Sequence, residues 1–314
     1  MMKIPKYIAF AGGGTYGLMY IGMYRALRQH LPLRNGLTAT EMFDEIQGFA
    51  GVSIGALAAL AFCLNMSEET YDGLFGRYEN MAELMPQADF AQMLQNYGLD
   101  RGDNIRKVVG DVLRSAGISE VVTFADMKRL IKRDFVCIAT NLQTQSPVRF
   151  SAATTPTMMI ADAVYMSMCV PFLFAPLQYE GDYMVDGCMT CHMPSVFDDD
   201  ETLFVAFDFS EMRLRVDTIQ DYCVACLTCN EVNKWYAQKN CLLLQVPTKT
   251  RTHPCDFSSN FSIQRATCGY ASTLSFLYQD FLYTLTLTLR IMYEMALERK
   301  RQPMSACADE EEMC

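Results

Sequence analysis

The segment "FAGVSIGAL" at 49–57 boxes a serine between two glycines, with apolar residues on either side. A hydroxyl so placed is a candidate nucleophile. The pattern Gly51-x-Ser53-x-Gly55 fits a strand-to-helix elbow, where small neighbours let a strained turn pack tightly. The residues before it read as the end of a buried strand, and "ALAALAFCLN" (56–65) reads as a helix. The N-terminus of that helix, beneath Ser53, favours developing negative charge. A second cluster, "GGGTYG" (12–17), follows the apolar run "YIAFA" (7–11). Gly12, Gly13 and Gly14 there present successive backbone amides with no side chain in front of them, which suits an oxyanion hole.

A serine nucleophile needs a base, and the chain holds only His30, His192 and His253. The order Ser53, Asp186, His253 would suit an α/β-hydrolase triad, but that fold normally places several strands before the elbow, and here it closes the second. His253 also lies in the polar, proline-bearing run "TKTRTHPCD", while His30 ends a helix and His192 follows Asp186 by six residues. A carboxylate is the other option. Asp186, in "YMVDGCMT", ends a run of strand residues just before a glycine, at a strand tip where the active sites of doubly wound sheets gather. In a dry site an aspartate touching the serine hydroxyl can take its proton directly.

The glycine cluster also spells G-x-G-x-x-G. A dinucleotide site needs an acidic residue at the end of the second strand, and the serine elbow stands there instead. A phosphate-binding loop needs Gly-Lys-Ser/Thr, which is missing. "CMTCH" (188–192) matches a haem-attachment pattern and "CVACLTC" (223–229) has cluster-like spacing, but the first overlaps the aspartate motif and the second lacks a nearby fourth cysteine. The second reads as a helical stripe of buried thiols. Neither metal nor cofactor is expected.

The elements that must position these groups alternate. Strand, glycine turn and helix occur twice in the first 65 residues, which predicts crossover units and a largely parallel sheet. "DFVCIATNL" (134–142) and "PVRFS" (147–151) read as a hairpin, "PTMMIADAVYMSMCV" (156–170) as a helix. "YMVDGCMT" (183–190), "TLFVAFDF" (202–209) and "CLLLQVP" (241–247) read as later strands. Residues 67–120 are expected to be helical and loop-like, with Met81, Met85, Phe90, Met93 and Leu94 as an apolar stripe, either a cap over the serine or a core-facing helix. A long helix is expected within 269–290, and one domain over 1–297, followed by a polar acidic tail over 298–314.

A net charge of −10 argues against nucleic acid as a partner. The runs "DDDE" (198–201) and "DEEE" (309–312) read as solvated. Thirteen cysteines without a secretory leader fit reduced thiols in a cytoplasmic protein, and no apolar run is long enough to span a bilayer.

Taken in order, "GGGTYG", "GVSIG" and "VDG" resemble the motifs of the patatin-like phospholipase family. The likeness continues through the stretch from "CIATNL" to "VDG" (137–187), which includes a Ser-x-x-x-Pro pattern, and more weakly through 255–272, so that it covers roughly residues 7–290. It implies a three-layer α/β/α sandwich with a central, mostly parallel sheet and a Ser–Asp dyad without a catalytic histidine. Carried onto this chain, Ser53 is the nucleophile and Asp186 its base. Gly12, Gly13 and Gly14 form the oxyanion hole with help from the Ile54 amide, and Gly17, Gly51, Gly55 and Gly187 complete the motifs. The implied substrate is a phospholipid or lysophospholipid, met in transient contact with a membrane; a transacylase and a weakly active lipid-binding protein are the alternatives. The chain departs from the family at Tyr16, where Arg or Lys is frequent, at Cys188, and around His192-Met193-Pro194.

Overall fold

The computed structural model describes residues 5–35, 38–75, 90–209, 241–246 and 262–277, with Val216, Tyr222, Ala225 and Cys226. By compactness the chain divides into Met1–Thr273 and Leu274–Cys314, and the first unit carries the architecture below. The expected boundary near 297 and the tail over 298–314 lie outside the described residues, as do His253, Met81 and Met85.

Strands β1 (Tyr7–Phe10), β2 (Gly48–Val52), β4 (Asp134–Asn141), β9 (Thr202–Asp208) and β10 (Cys241–Gln245) run parallel in the order β10-β9-β1-β2-β4. The hairpin strand β5 (Ser146–Ser151) and the strands β7 (Leu177–Tyr179) and β8 (Asp182–Asp186) join antiparallel. The chain is therefore mixed α/β around a mostly parallel sheet, as expected. Alternation explains why the sheet is buried on both faces. Phe10 turns towards the helices, meeting Tyr20 of α1 (Met19–Asn35) and Phe62 of α3 (Ile54–Cys63) at ring-centroid distances of 5.2 and 4.8 Å. Ala9, Ala50, Val52, Val136, Ile138, Phe204 and Ala206 face the other way and are covered by Met193, Val196 and Phe197. Residues 188–197 thus form a lid on that face, immediately after the aspartate motif.

The helix α8 (Ile160–Met168) packs beside α3 on the helical face; it starts four residues later than the sequence reading placed it. The segment after it forms β6 (Phe172–Phe174), which pairs with β3 (Gly98–Asp100) in a separate two-stranded parallel sheet. Both of these short strands escaped the sequence reading. Of the helix expected within 269–290, residues 269–277 belong to α9 (Ser262–Leu277), which starts seven residues earlier, and 278–290 lie outside the described residues. Gly269 of α9 and Gly22 of α1 mark a close crossing: a Cβ on Gly22 would lie 1.7 Å from the Ala266 carbonyl oxygen. Cys226 is exposed, so at that position the expected buried thiol stripe does not form. Of the two alternatives for the apolar stripe, the core-facing one fails at Leu94 of α5 (Phe90–Asn96), which is 85% exposed. In the 198–201 run, Asp198 caps a short turn by accepting the Asp200 N–H, and Glu201 pairs with Lys6.

Candidate active site

The register of β4 brings the two sequence motifs together. One of its edges is occupied by β5 over Val136–Asn141. The other must then serve β2 over Asp134–Ile138 and β8 over Ala139–Asn141. Val52 pairs with Ile138 and Asp186 with Ala139, so the end of β2 and the end of β8 meet head-on along a single edge. Ser53, the next residue after Val52, is thereby delivered to Asp186 although 133 positions separate them.

Ser53 Oγ donates to Asp186 Oδ2 at 2.6 Å, with the two residues 6% and 3% exposed. No histidine stands between them, because the hydroxyl's one proton already points at the carboxylate. His30 instead bonds Tyr270 through Nε2 at 2.6 Å. The carboxylate is fixed from both ends: Oδ1 accepts the Cys188 N–H at 2.8 Å, and the Asp186 N–H donates to the Cys169 carbonyl at 2.8 Å. Oδ2 is left to face the serine.

The elbow itself is strained. Ser53 has φ 54° and ψ −131°, a backbone region that L-residues rarely occupy and that costs about 1–3 kcal/mol. Two features hold it. The helix α3 sits directly against β1 and β2, because a Cβ on Gly51 would lie 2.1 Å from the Gly55 carbonyl oxygen and one on Gly55 would lie 2.4 Å from that of Ala11. The second is Ser167 of α8, fully buried, whose Oγ accepts the Ser53 N–H at 2.8 Å and donates to the Ile138 carbonyl at 2.5 Å. Ser167 is the serine of the Ser-x-x-x-Pro pattern. Its role is not legible in the pattern, since nothing local says where a buried hydroxyl will point.

The first glycine cluster lies beside this pair. Gly12 abuts both partners' neighbours: a Cβ there would meet Cys188 Sγ at 2.0 Å and Ser53 Cβ at 3.2 Å. Its N–H donates to the His192 carbonyl at 3.3 Å. Gly14, with φ 55°, turns the chain into a short 3-10 helix that begins at that residue. Among the described residues no hydrogen bond engages the N–H of Gly13 or Gly14. Ile54, as the first residue of α3, likewise has no intrahelical acceptor for its N–H. Gly17 packs on Ile54, Gly13 on the Phe207 ring and Gly187 on the Ile138 carbonyl. Tyr16 is buried beneath the Arg265 guanidinium, 4.5 Å from its ring centroid, so a cation reaches this loop from α9.

Burial holds the protons on four of the thiols. Burial pushes Cys137 and Cys169 up to about 12, Cys63 likewise, and raises Cys191.

Comparison with known proteins identifies the family. The sequence model of the family described as patatin-like phospholipase matches residues 8–194. A protein of Acanthamoeba polyphaga mimivirus is 26% identical over 239 residues, covering 70% of this chain and 74% of its own. A protein of Invertebrate iridescent virus 6, named as a probable lipid hydrolase, is 21% identical over 267 residues, covering 82% and 84%. Among solved structures, VipD from Legionella pneumophila superposes with a TM-score of 0.54 at 18% identity, over 88% of this chain and 67% of that one, a likeness of fold. Since the family match takes in more than half of the sequence and contains both the elbow and the aspartate, the chain belongs to the patatin-like phospholipase family, a family of hydrolases.

Proposed function

We propose that this chain hydrolyses carboxylic esters of phospholipids or lysophospholipids through Ser53 and Asp186, with an acyl-enzyme intermediate. The direct 2.6 Å bond between Ser53 Oγ and Asp186 Oδ2, made without a histidine, is the observation that carries this reading. Asp186 takes the hydroxyl proton as Oγ attacks the ester carbonyl. The negative charge that develops on the carbonyl oxygen is met by the N–H groups of Gly13, Gly14 and Ile54 and by the positive end of α3. Gly12 enters that set only by giving up its bond to His192. When the tetrahedral intermediate collapses, the proton on Asp186 passes to the departing alkoxide, which leaves as the alcohol. Water then gives a proton to Asp186 and attacks the acyl-enzyme; the fatty acid leaves and Ser53 regains its hydrogen.

Purified protein should hydrolyse p-nitrophenyl butyrate and release fatty acid from phosphatidylcholine, and both activities should vanish in Ser53→Ala and in Asp186→Asn while the far-UV spectrum stays native. Activity that survives either substitution removes the dyad from the mechanism.

A further inference from the structure

The turn that carries the oxyanion amides also holds a buried hydroxyl without a hydrogen bond. Thr15 is 1% exposed, and its Oγ1 has no partner among the described residues. Every other buried serine or threonine among those residues makes at least one such bond. Ser167, bonded to Ser53, and Thr140, bonded to the Gly187 carbonyl, make two each. A hydroxyl taken out of water without a partner destabilises the resting fold, and valine would fill the same space without that loss.

The local geometry leaves Oγ1 stranded. The Tyr16 N–H donates to the Gly13 carbonyl at 3.1 Å, so Gly14 and Thr15 are the central pair of a tight turn. A threonine near a helix start can close on the carbonyl four residues back, but that carbonyl, on Ala11, accepts the Tyr20 hydroxyl at 2.7 Å. Thr15 also lies between the two places where this loop touches the elbow. Gly12 before it abuts Ser53, and Gly17 after it packs on Ile54, the first residue of α3. Its nearest backbone neighbour is Gly14, about 3.8 Å away between Cα atoms. The N–H groups of Gly13 and Gly14 are likewise not engaged among the described residues.

From these observations we infer that Thr15 is a further oxyanion donor. Its hydroxyl bonds the charged carbonyl oxygen of the substrate in the transition state, beside the N–H groups of Gly13 and Gly14. Rotation about χ1 redirects Oγ1 without moving the turn. The acceptor that the resting fold withholds is then supplied by the reaction itself. A donor left unsatisfied before the reaction and satisfied only as charge appears stabilises the transition state and not the ground state, which is the condition for raising kcat. The inference rests on the proposed attack of Ser53 on an ester.

The test compares Thr15→Val and Thr15→Ser with the parent, using p-nitrophenyl butyrate kinetics, thermal melting and inhibition by a trifluoromethyl ketone. The adduct of that ketone with a serine carries the same oxyanion. Thr15→Val should melt at or above the parent temperature and lose on the order of 100-fold in kcat, with KM within about threefold. It should bind the ketone more weakly by a similar factor. Thr15→Ser keeps the hydroxyl and should stay within about threefold of the parent in kcat. A threonine with only a structural role behaves otherwise: Thr15→Val would then melt lower or fail to fold, and either result overturns the inference. An unchanged kcat overturns it too, as does a loss of kcat with no change in ketone affinity. A parent that does not hydrolyse the ester rejects the proposed reaction and this role together, whereas an active parent with an unaffected Thr15→Val rejects the role alone.

Discussion

Ser167→Ala isolates the effect of the elbow's support. Its hydroxyl is fully buried and serves two backbone groups at once, the Ser53 N–H and the Ile138 carbonyl. Truncation strands both, at about 1–3 kcal/mol each, so stability should fall by about 2–6 kcal/mol if neither finds water. The bond from the Ser53 N–H is also one of the two features that hold a backbone at φ 54°; once it is released, the elbow relaxes and Oγ shifts from its line to Asp186. A displacement of about 1 Å costs on the order of a hundredfold in rate. The expected result with p-nitrophenyl butyrate is a kcat lower by about 30- to 100-fold with KM within about threefold. Leu113→Ala, a fully buried position on the helix Asp103–Ser115, is the control, because it should lose a comparable 2–5 kcal/mol by opening a cavity while leaving the elbow intact. Ser167→Ala with native kcat, or Leu113→Ala with the same kcat loss, would refute the reasoning.

Gly55→Ala should cost about 3 kcal/mol or prevent folding, because its Cβ would sit 2.4 Å from the Ala11 carbonyl oxygen; chemical denaturation measures it. Cys188→Ala keeps the N–H that holds Asp186 Oδ1 and should keep kcat/KM within about threefold, whereas Cys188→Phe, which must displace Gly12, should lower it by about tenfold or more. An inactive alanine variant would show that the thiol, not the amide, does the work. The buried thiols Cys63, Cys137 and Cys169 hold their protons to about pH 12 when folded, against an ordinary value of 9.0. Unfolding therefore releases protons between those values, and stability is full below about pH 9 and lost as pH rises towards 12, by up to about 4 kcal/mol per pH unit for the three together. Thermal melts at pH 8 and pH 10.5 check the direction, and the same three thiols should resist iodoacetamide at pH 8 until the chain unfolds.

Local pattern was enough for the sheet. The apolar runs at 7–11, 134–142 and 202–209 became β1, β4 and β9 because a strand buried on both faces must be apolar throughout. It was also enough for the elbow, whose glycines are required by backbone contact with Ala11 and Gly55. The register of β4, in contrast, was not legible: that β2 and β8 share one edge depends on long-range pairing, and the meeting of Ser53 with Asp186 follows from it. Ser167 was hidden for the same reason. The strands β3 and β6 were missed because each is only three residues long, too short for a period to show. Whether the stripe ending at Leu94 faces the core could not be read from spacing, because apolar spacing identifies a face but not what that face meets.

The central claim is that Ser53 is activated by Asp186 alone. Its most direct test is to treat folded protein with a fluorophosphonate and map the adduct by mass spectrometry. One adduct on the peptide bearing Ser53, formed rapidly by the parent and lost in Asp186→Asn, is the predicted result. Labelling at another residue, or labelling of Ser53 that proceeds undiminished without the aspartate, would contradict it.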